Sequence, residues 1–530
     1  MVFISYFHGN NDGMNRFASG ILSALVLLVF PAVAQEQVDM TMMNRIREEG
    51  LQKSQVMDIA LNLTDLNGHR LANSPGYARA ANYAIGKLNG WGVQNARQEA
   101  WGEFGKGWEL EKMYFAMTAP YYKPMMAYPK TWTAGTKGLK KGDLIVVALK
   151  DSVSLMALKG SLKGKVIIPD MQYDYQMSFK PDALRYTEEE LQKMEAAQGG
   201  GQQQRQVRDT AQMRRMREQM QRTMGPQRLL TMLKDMAKAE GAVALLSSST
   251  RNHDGTVFAQ GGGAYKGTDP ENFLDMALPV EDYNTLLRIA KSGAAVKLET
   301  EVKTKFFADD LQGYNVLAEI PGTDPALKDE VVMIGAHLDS WQAGTGATDN
   351  ASGSAVMLEA MRILKALGIQ PKRTIRIGLW SAEEQGLLGS RGYVAKIFGG
   401  VGNAAKTPAH DKFSAYYNID NGTGKIRGIY LQGNEACRSI FSAWLAPFKD
   451  LGATTVTISN TGGTDHQAFD AAGLPGFQFI QDPMEYDTRT HHSNMDVYDH
   501  LSASDLKQIA TIVAAFVYNT VQRDAKLPRK

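Results

Sequence analysis

The chain has 530 residues, 44% of them hydrophobic and 22% charged, with a formal net charge of +2 at pH 7. That length supports two or three domains with a substantial core, and the composition excludes a disordered or fibrous chain. The near-neutral charge balance argues against nucleic acid as the main partner.

The N-terminus reads as an export signal. Met14-Asn15-Arg16 supplies a positive start, Ile21 to Phe30 an apolar stretch, and Ala32-Val33-Ala34 a cleavage site before Gln35. Residues 1–13 read as an upstream leader. The apolar stretch is shorter than the roughly 20 residues that span a bilayer, so cleavage is expected and an uncleaved anchor is the alternative. The expected location is periplasmic or secreted, with no stable membrane anchor after cleavage. The sole cysteine, Cys437, cannot form an internal disulfide and reads as a packed small residue.

Residues 35–130 read as an N-terminal segment with helical stretches. Pro75 to Ile85 has proline in a first turn and apolar residues at helical spacing, closed by Gly90-Trp91-Gly92. From 131 to 298 the texture changes to a smaller inserted α/β module. Asp143 to Ala148 and Gly164 to Ile168 are short β runs, and Ala237 to Leu246 is a helix end feeding a strand. Inside it, the Gln/Arg/Met-rich stretch 195–228 reads as a solvated excursion, with a partner- or substrate-covering arm as the sharper alternative.

From 299 to 530 strands and helices alternate. Strands are expected at Val331–Ala336, Thr374–Trp380, Phe413–Ile419 and Gly476–Ile480. Helices are expected at Asn350–Leu367, Leu387–Lys396, Glu435–Pro447 and Leu501–Gln522. Such alternation predicts an α/β fold, with a mixed, mostly parallel sheet and helices on both faces. Ligands bind beyond the carboxyl ends of such strands. His337, the pair Glu383-Glu384, and Asp420 each follow an expected strand.

Those residues, with Asp349 and His491-His492, are the imidazoles and carboxylates that two neighbouring zinc ions require. Asp349 suits a shared ligand, because one carboxylate can give an oxygen to each ion. Asp339, two residues past His337, suits a carboxylate that orients the imidazole. Of Glu383 and Glu384, one must bind metal and the other stay free to move a proton. His492 is preferred to His491 because Asp496 follows it and could orient its ring. His466 is balanced between a place in the cleft and a structural role. His69, His253, His410 and His500 have no ligand-like context.

The motifs GAHLDSW (335–341), GATDNASG (346–353), RTIRIGLWSAEEQGLLGSRGY (373–393), YYNIDNGTG (416–424) and HHSNMD (491–496) resemble those of the co-catalytic zinc exopeptidases. That family includes secreted leucyl aminopeptidases, glutamate carboxypeptidases and glutaminyl cyclases, and the likeness is to its plasma glutamate carboxypeptidase-like branch. It extends to LTDLNGHRLANSP (63–75) and WGEFGKGW (101–108), and residues 131–298 resemble the protease-associated domain inserted in many members. The resemblance implies two zinc ions per chain, one held by His337 and Asp420 and the other by Glu384 and His492. Asp349 would bridge them, and Glu383 would act as general base toward a metal-bridging water. Peptides are the implied substrates, cut near a terminus as by an aminopeptidase or a dipeptidase/carboxypeptidase. The oligomeric state stays open, a homodimer being one option. A single-zinc glutaminyl cyclase and a non-catalytic receptor-like homologue are the alternatives. The 195–228 excursion departs from the usual inserted domain.

Overall fold

The computed structural model describes residues 36–175, 177–197, 225 and 227–530. The expected leader and signal (1–34) and nearly all of the 195–228 excursion lie outside the described residues. Among the described residues, no helix is long and apolar enough to cross a membrane. The elements lie in the unit Val38–Lys530 and build two eight-stranded sheets.

The sheet that carries the site runs in the order Gln94–Glu103, Gln312–Ile320, Thr374–Trp380, Val331–His337, Phe413–Asn418, Gly476–Gln481, Ile426–Tyr430 and Thr455–Thr457. Its centre is parallel: Val331–His337 pairs in parallel with both Thr374–Trp380 and Phe413–Asn418, which pairs in parallel with Gly476–Gln481. The flanks carry the antiparallel pairings, so the sheet is mixed, as expected.

The central strands are apolar without interruption because both of their faces are covered. Along Val331–His337 the side chains alternate. Val332, Ile334 and Ala336 enter the larger core, beneath the helices Met40–Gln52, Val56–Leu63, Pro75–Gly90, Ser352–Ala366 and Ala503–Gln522. Met333 enters a second core on the opposite face, with Trp380, Tyr393, Tyr416 and Phe469. Gly335 is required by this packing. A Cβ there would stand 2.5 Å from the Gly378 carbonyl oxygen and 2.8 Å from both Trp380 Nε1 and Tyr416 Oη.

The second sheet runs Lys123–Pro124, Gly107–Ala119, Lys297–Phe307, Lys140–Val147, Val166–Pro169, Ala244–Ser247, Asp275–Ala277 and Tyr128–Pro129. Its two long strands, Gly107–Ala119 and Lys297–Phe307, pair antiparallel along most of their length. They extend the module on both sides of the 131–298 segment. Its own core includes Phe115, Val166, Leu246, Met276 and Leu298.

Candidate metal centre

The three adjacent parallel strands deliver the site from one edge of the sheet. His337 is the last residue of its strand. Glu383 and Glu384 follow the Thr374–Trp380 strand, and Asp420 follows Phe413–Asn418. Asp349 sits on the wide turn Ala347–Ala351 that precedes the Ser352–Ala366 helix. The expected helix start at Asn350 therefore falls within that turn. Its non-helical backbone at Asp349 and Asn350 turns the carboxylate toward the strand ends. His491 and His492 follow the turn Tyr486–Thr490.

These side chains converge. His337 Nε2 lies 3.1 Å from Asp349 Oδ1 and 3.2 Å from Asp420 Oδ1. His492 Nε2 lies 3.1 Å from Asp349 Oδ2 and 2.8 Å from Glu384 Oε2. Asp349 thus turns one oxygen to each imidazole. Glu383 groups with His337 and Asp420, while Glu384 groups with His337 and Asp349. His491 Nε2 is farther out, 3.7 Å from Asp349 Oδ2. All seven expected site residues are brought together or touch one that is.

The supporting contacts differ from expectation in two places. His337 Nδ1 bonds to the main-chain oxygen of Asp339 at 3.0 Å, with the Asp339 carboxylate farther away at 3.6 Å. That carboxylate instead accepts the backbone N–H groups of Glu383 (3.2 Å) and Glu384 (3.4 Å). A buried carboxylate gains most from charge-assisted amide bonds, and the turn that presents the glutamates leaves two N–H groups facing it. Asp496 likewise turns away from His492. It accepts the Thr348 N–H at 2.5 Å, the Thr348 hydroxyl at 2.8 Å and the Asp349 N–H at 3.2 Å.

Sequence reasoning passed over two residues as individuals. The buried Arg70 guanidinium donates to the carbonyls of Leu338, Leu63, Thr345 and Gly346 at 2.6–2.8 Å, tying the strand exit to the turn that bears Asp349. Gln260, from the second-sheet module, places Nε2 2.6 Å from His492 Nδ1. Arg70 lay within a quoted motif, but nothing local to Gln260 marks it. His466 is buried beside Gln432 and the Thr461 carbonyl rather than among the clustered carboxylates.

The electrostatics show what the cluster lacks in itself. Burial by itself would depress His337; the carboxylates of Asp420 and Glu383 outweigh it and raise its pKa well above 6.5. Burial opposes protonation of His492 too, yet Glu384 and Asp349 raise it to about 11. Burial raises Glu383 well above 4.5, with Asp420 and Asp465 adding to the effect, and raises Glu384 to about 7. Asp349 is held well below 3.8 because its two imidazole partners overcome its burial. Buried carboxylates and imidazoles that hold protons this tightly present the charge a divalent cation would balance. Among the described residues, Glu384 Oε1 is buried with no hydrogen-bond donor. The donor set, imidazole nitrogen and carboxylate oxygen, fits zinc. The centre opens into a cleft of about 520 Å³ whose lining includes Arg391, Asn421, Thr464, Tyr486 and Asp487.

Residues 315–517 match the family model "Peptidase family M28". Mouse carboxypeptidase Q is 31% identical over 290 residues, covering 54% of this chain and 58% of that protein. The chain thus spans about half the length of the curated relatives it matches. A peptidase M28 precursor from Shewanella amazonensis is similar in fold, with a TM-score of 0.64 at 23% identity over 92% of this chain and 98% of that one. BSAP, a zinc aminopeptidase from Bacillus subtilis, is similar in fold with a TM-score of 0.53 at 19% identity over 89% and 96%.

Proposed function

We propose, from the match of residues 315–517 to the family model "Peptidase family M28", an exported zinc-dependent exopeptidase that cuts peptide bonds near a terminus. The observation that carries this reading is Asp349, which faces His337 with one oxygen and His492 with the other. In this reading His337 and Asp420 hold one zinc ion, Glu384 and His492 hold a second, and Asp349 belongs to both sets. Two zinc ions bound there supply polarisation of the scissile carbonyl and a lowered pKa for the attacking water. Glu383 is the general base. Its carboxylate takes the proton from water and returns it to the leaving amine nitrogen, a role worth about 10²–10⁴-fold in rate. Glu384, not Glu383, contacts His492, at 2.8 Å, which supports this assignment. Both ligand sets are complete, which favours a peptidase over a single-zinc cyclase or a non-catalytic receptor.

Export is supported by the N-terminal signal pattern, and the separate second sheet supports an inserted protease-associated-type domain. The Bacillus relative is an aminopeptidase and the mouse relative a carboxypeptidase, so the relatives differ in the terminus named. The cleft carries an exposed cation, Arg391, and an exposed acid, Asp487. It thus offers a partner for a free carboxylate and one for a free amine, which suits short peptides with both termini unblocked. The test is release of amino acids from free, N-acetylated and C-amidated dipeptides by zinc-loaded protein. Hydrolysis of the free dipeptide, lost with chelator and restored by zinc, is expected. No hydrolysis of any of the three, or full activity in chelator, overturns the reading.

A further inference from the structure

We propose that Gln260, a residue of the second-sheet module, positions His492 as a metal ligand, so that the module helps assemble the metal centre. This rests on the zinc reading of the site.

The geometry is direct. Gln260 Nε2 lies 2.6 Å from His492 Nδ1, while His492 Nε2 faces Glu384 and Asp349. A histidine that gives Nε2 to a metal keeps its proton on Nδ1 and needs an acceptor there. The two ends of a carboxamide are nearly isosteric, and rotation about its last bond presents the oxygen to that N–H. Neither Asp339 nor Asp496, the nearby carboxylates, takes this part: their oxygens are engaged with the amides of 383–384 and 348–349.

The module holds the whole ligand loop. Val257 exchanges two hydrogen bonds with Asn494: its N–H donates to Asn494 Oδ1 at 2.6 Å, and its carbonyl accepts the Asn494 N–H at 3.1 Å. Phe258 forms an antiparallel bridge with Ser493, and Leu184 another with Met484. Arg251 donates to the Asp487 carbonyl at 3.1 Å. Gln260 is itself anchored, since its carbonyl accepts the Thr131 N–H at 3.3 Å. These contacts surround a strained residue: His492 holds φ at +63°, a left-handed conformation that a residue bearing Cβ adopts only at a cost. The strain is tolerated because the flanking residues are fixed, and the imidazole is set by Gln260 on one side and by Trp341, edge-on at 6.2 Å, on another.

The test is zinc affinity, measured by competition with a chromophoric chelator on the full chain. Wild type is expected to take up two equivalents. Gln260→Leu should bind one equivalent about 10–100-fold less tightly, the usual effect of losing a partner of a ligand histidine, with the other unchanged. Gln260→Glu, which keeps an acceptor for Nδ1–H, should restore that affinity. Unfolding midpoints of the metal-free proteins should coincide, because Gln260 is exposed. Equal affinities in wild type and Gln260→Leu overturn the proposal, as does a Gln260→Glu protein as weak as Gln260→Leu. Wild type that binds no zinc overturns the underlying zinc reading, an outcome seen before any variant is compared.

Discussion

Asp339 accepts the backbone N–H of Glu383 at 3.2 Å and, with its other oxygen, that of Glu384 at 3.4 Å. One carboxylate thereby fixes the turn that aims both glutamates. Asp339→Asn replaces one acceptor with a donor facing an N–H, and the loss of a charge-assisted bond costs about 1.5–3 kcal/mol. We expect a lower unfolding midpoint and peptide turnover reduced about 10–100-fold, read by thermal melts and steady-state kinetics. Unchanged turnover would show that the glutamates are aimed by other contacts.

Arg70 is fully buried and donates to four carbonyls. Burial lowers its pKa to about 10 against the fields of Asp496, Asp339, Asp349 and Glu384, so it stays charged at neutral pH. A lysine has a single nitrogen and no planar fork, so Arg70→Lys strands several carbonyls. We expect destabilisation of at least about 3 kcal/mol, measured by urea unfolding, together with weaker zinc uptake as Gly346 and the Asp349 turn loosen.

Much of this architecture was legible in the sequence, and the exceptions have physical causes. The buried strand Val331–His337 and the closing helix Ala503–Gln522 carry uninterrupted or periodic apolar patterns, and the structure has them within a residue or two of expectation. The edge strand Gln94–Glu103 went unread because none of its residues is buried, and QNARQEAWGE carries no apolar alternation. The strand Lys297–Phe307 alternates, but its partner Gly107–Ala119 lies nearly 200 residues earlier, so local pattern could not pair them. The site behaves in the same way. Ligand-type residues at strand exits declare themselves, whereas the roles of Asp339 and Asp496 depend on which amides a folded turn exposes. Gln260 reaches His492 only across two sheets.

Glu383 and Glu384 are adjacent yet differently placed, since only Glu384 contacts His492, at 2.8 Å. Glu383→Gln should lower kcat about 10²–10⁴-fold with zinc content unchanged by elemental analysis. Glu384→Gln should lose zinc as well as activity. The reverse pattern would exchange the two roles.

His69 titrates near 4 rather than 6.5, held down by burial first and then by Arg79 and Arg70. Between those values the unfolded chain binds more protons than the folded one, so stability rises with pH. This contribution is complete above about pH 6.5 and lost as pH falls to about 4. At about 1.4 kcal/mol per pKa unit the effect is up to about 3 kcal/mol, less for the ring's partial exposure. His69→Gln, which cannot charge, should lose less stability than wild type between pH 7 and 4.5 in chemical denaturation of the metal-free protein. Parallel curves would show that His69 is not held neutral.

The central claim, two cations sharing Asp349, is tested most directly by anomalous diffraction at the zinc edge from crystals of the zinc-loaded protein. Two peaks about 3.5–4 Å apart are predicted, one beside His337 and Asp420 and the other beside Glu384 and His492, with an Asp349 oxygen at each. A single peak, or peaks away from Asp349, would contradict the account.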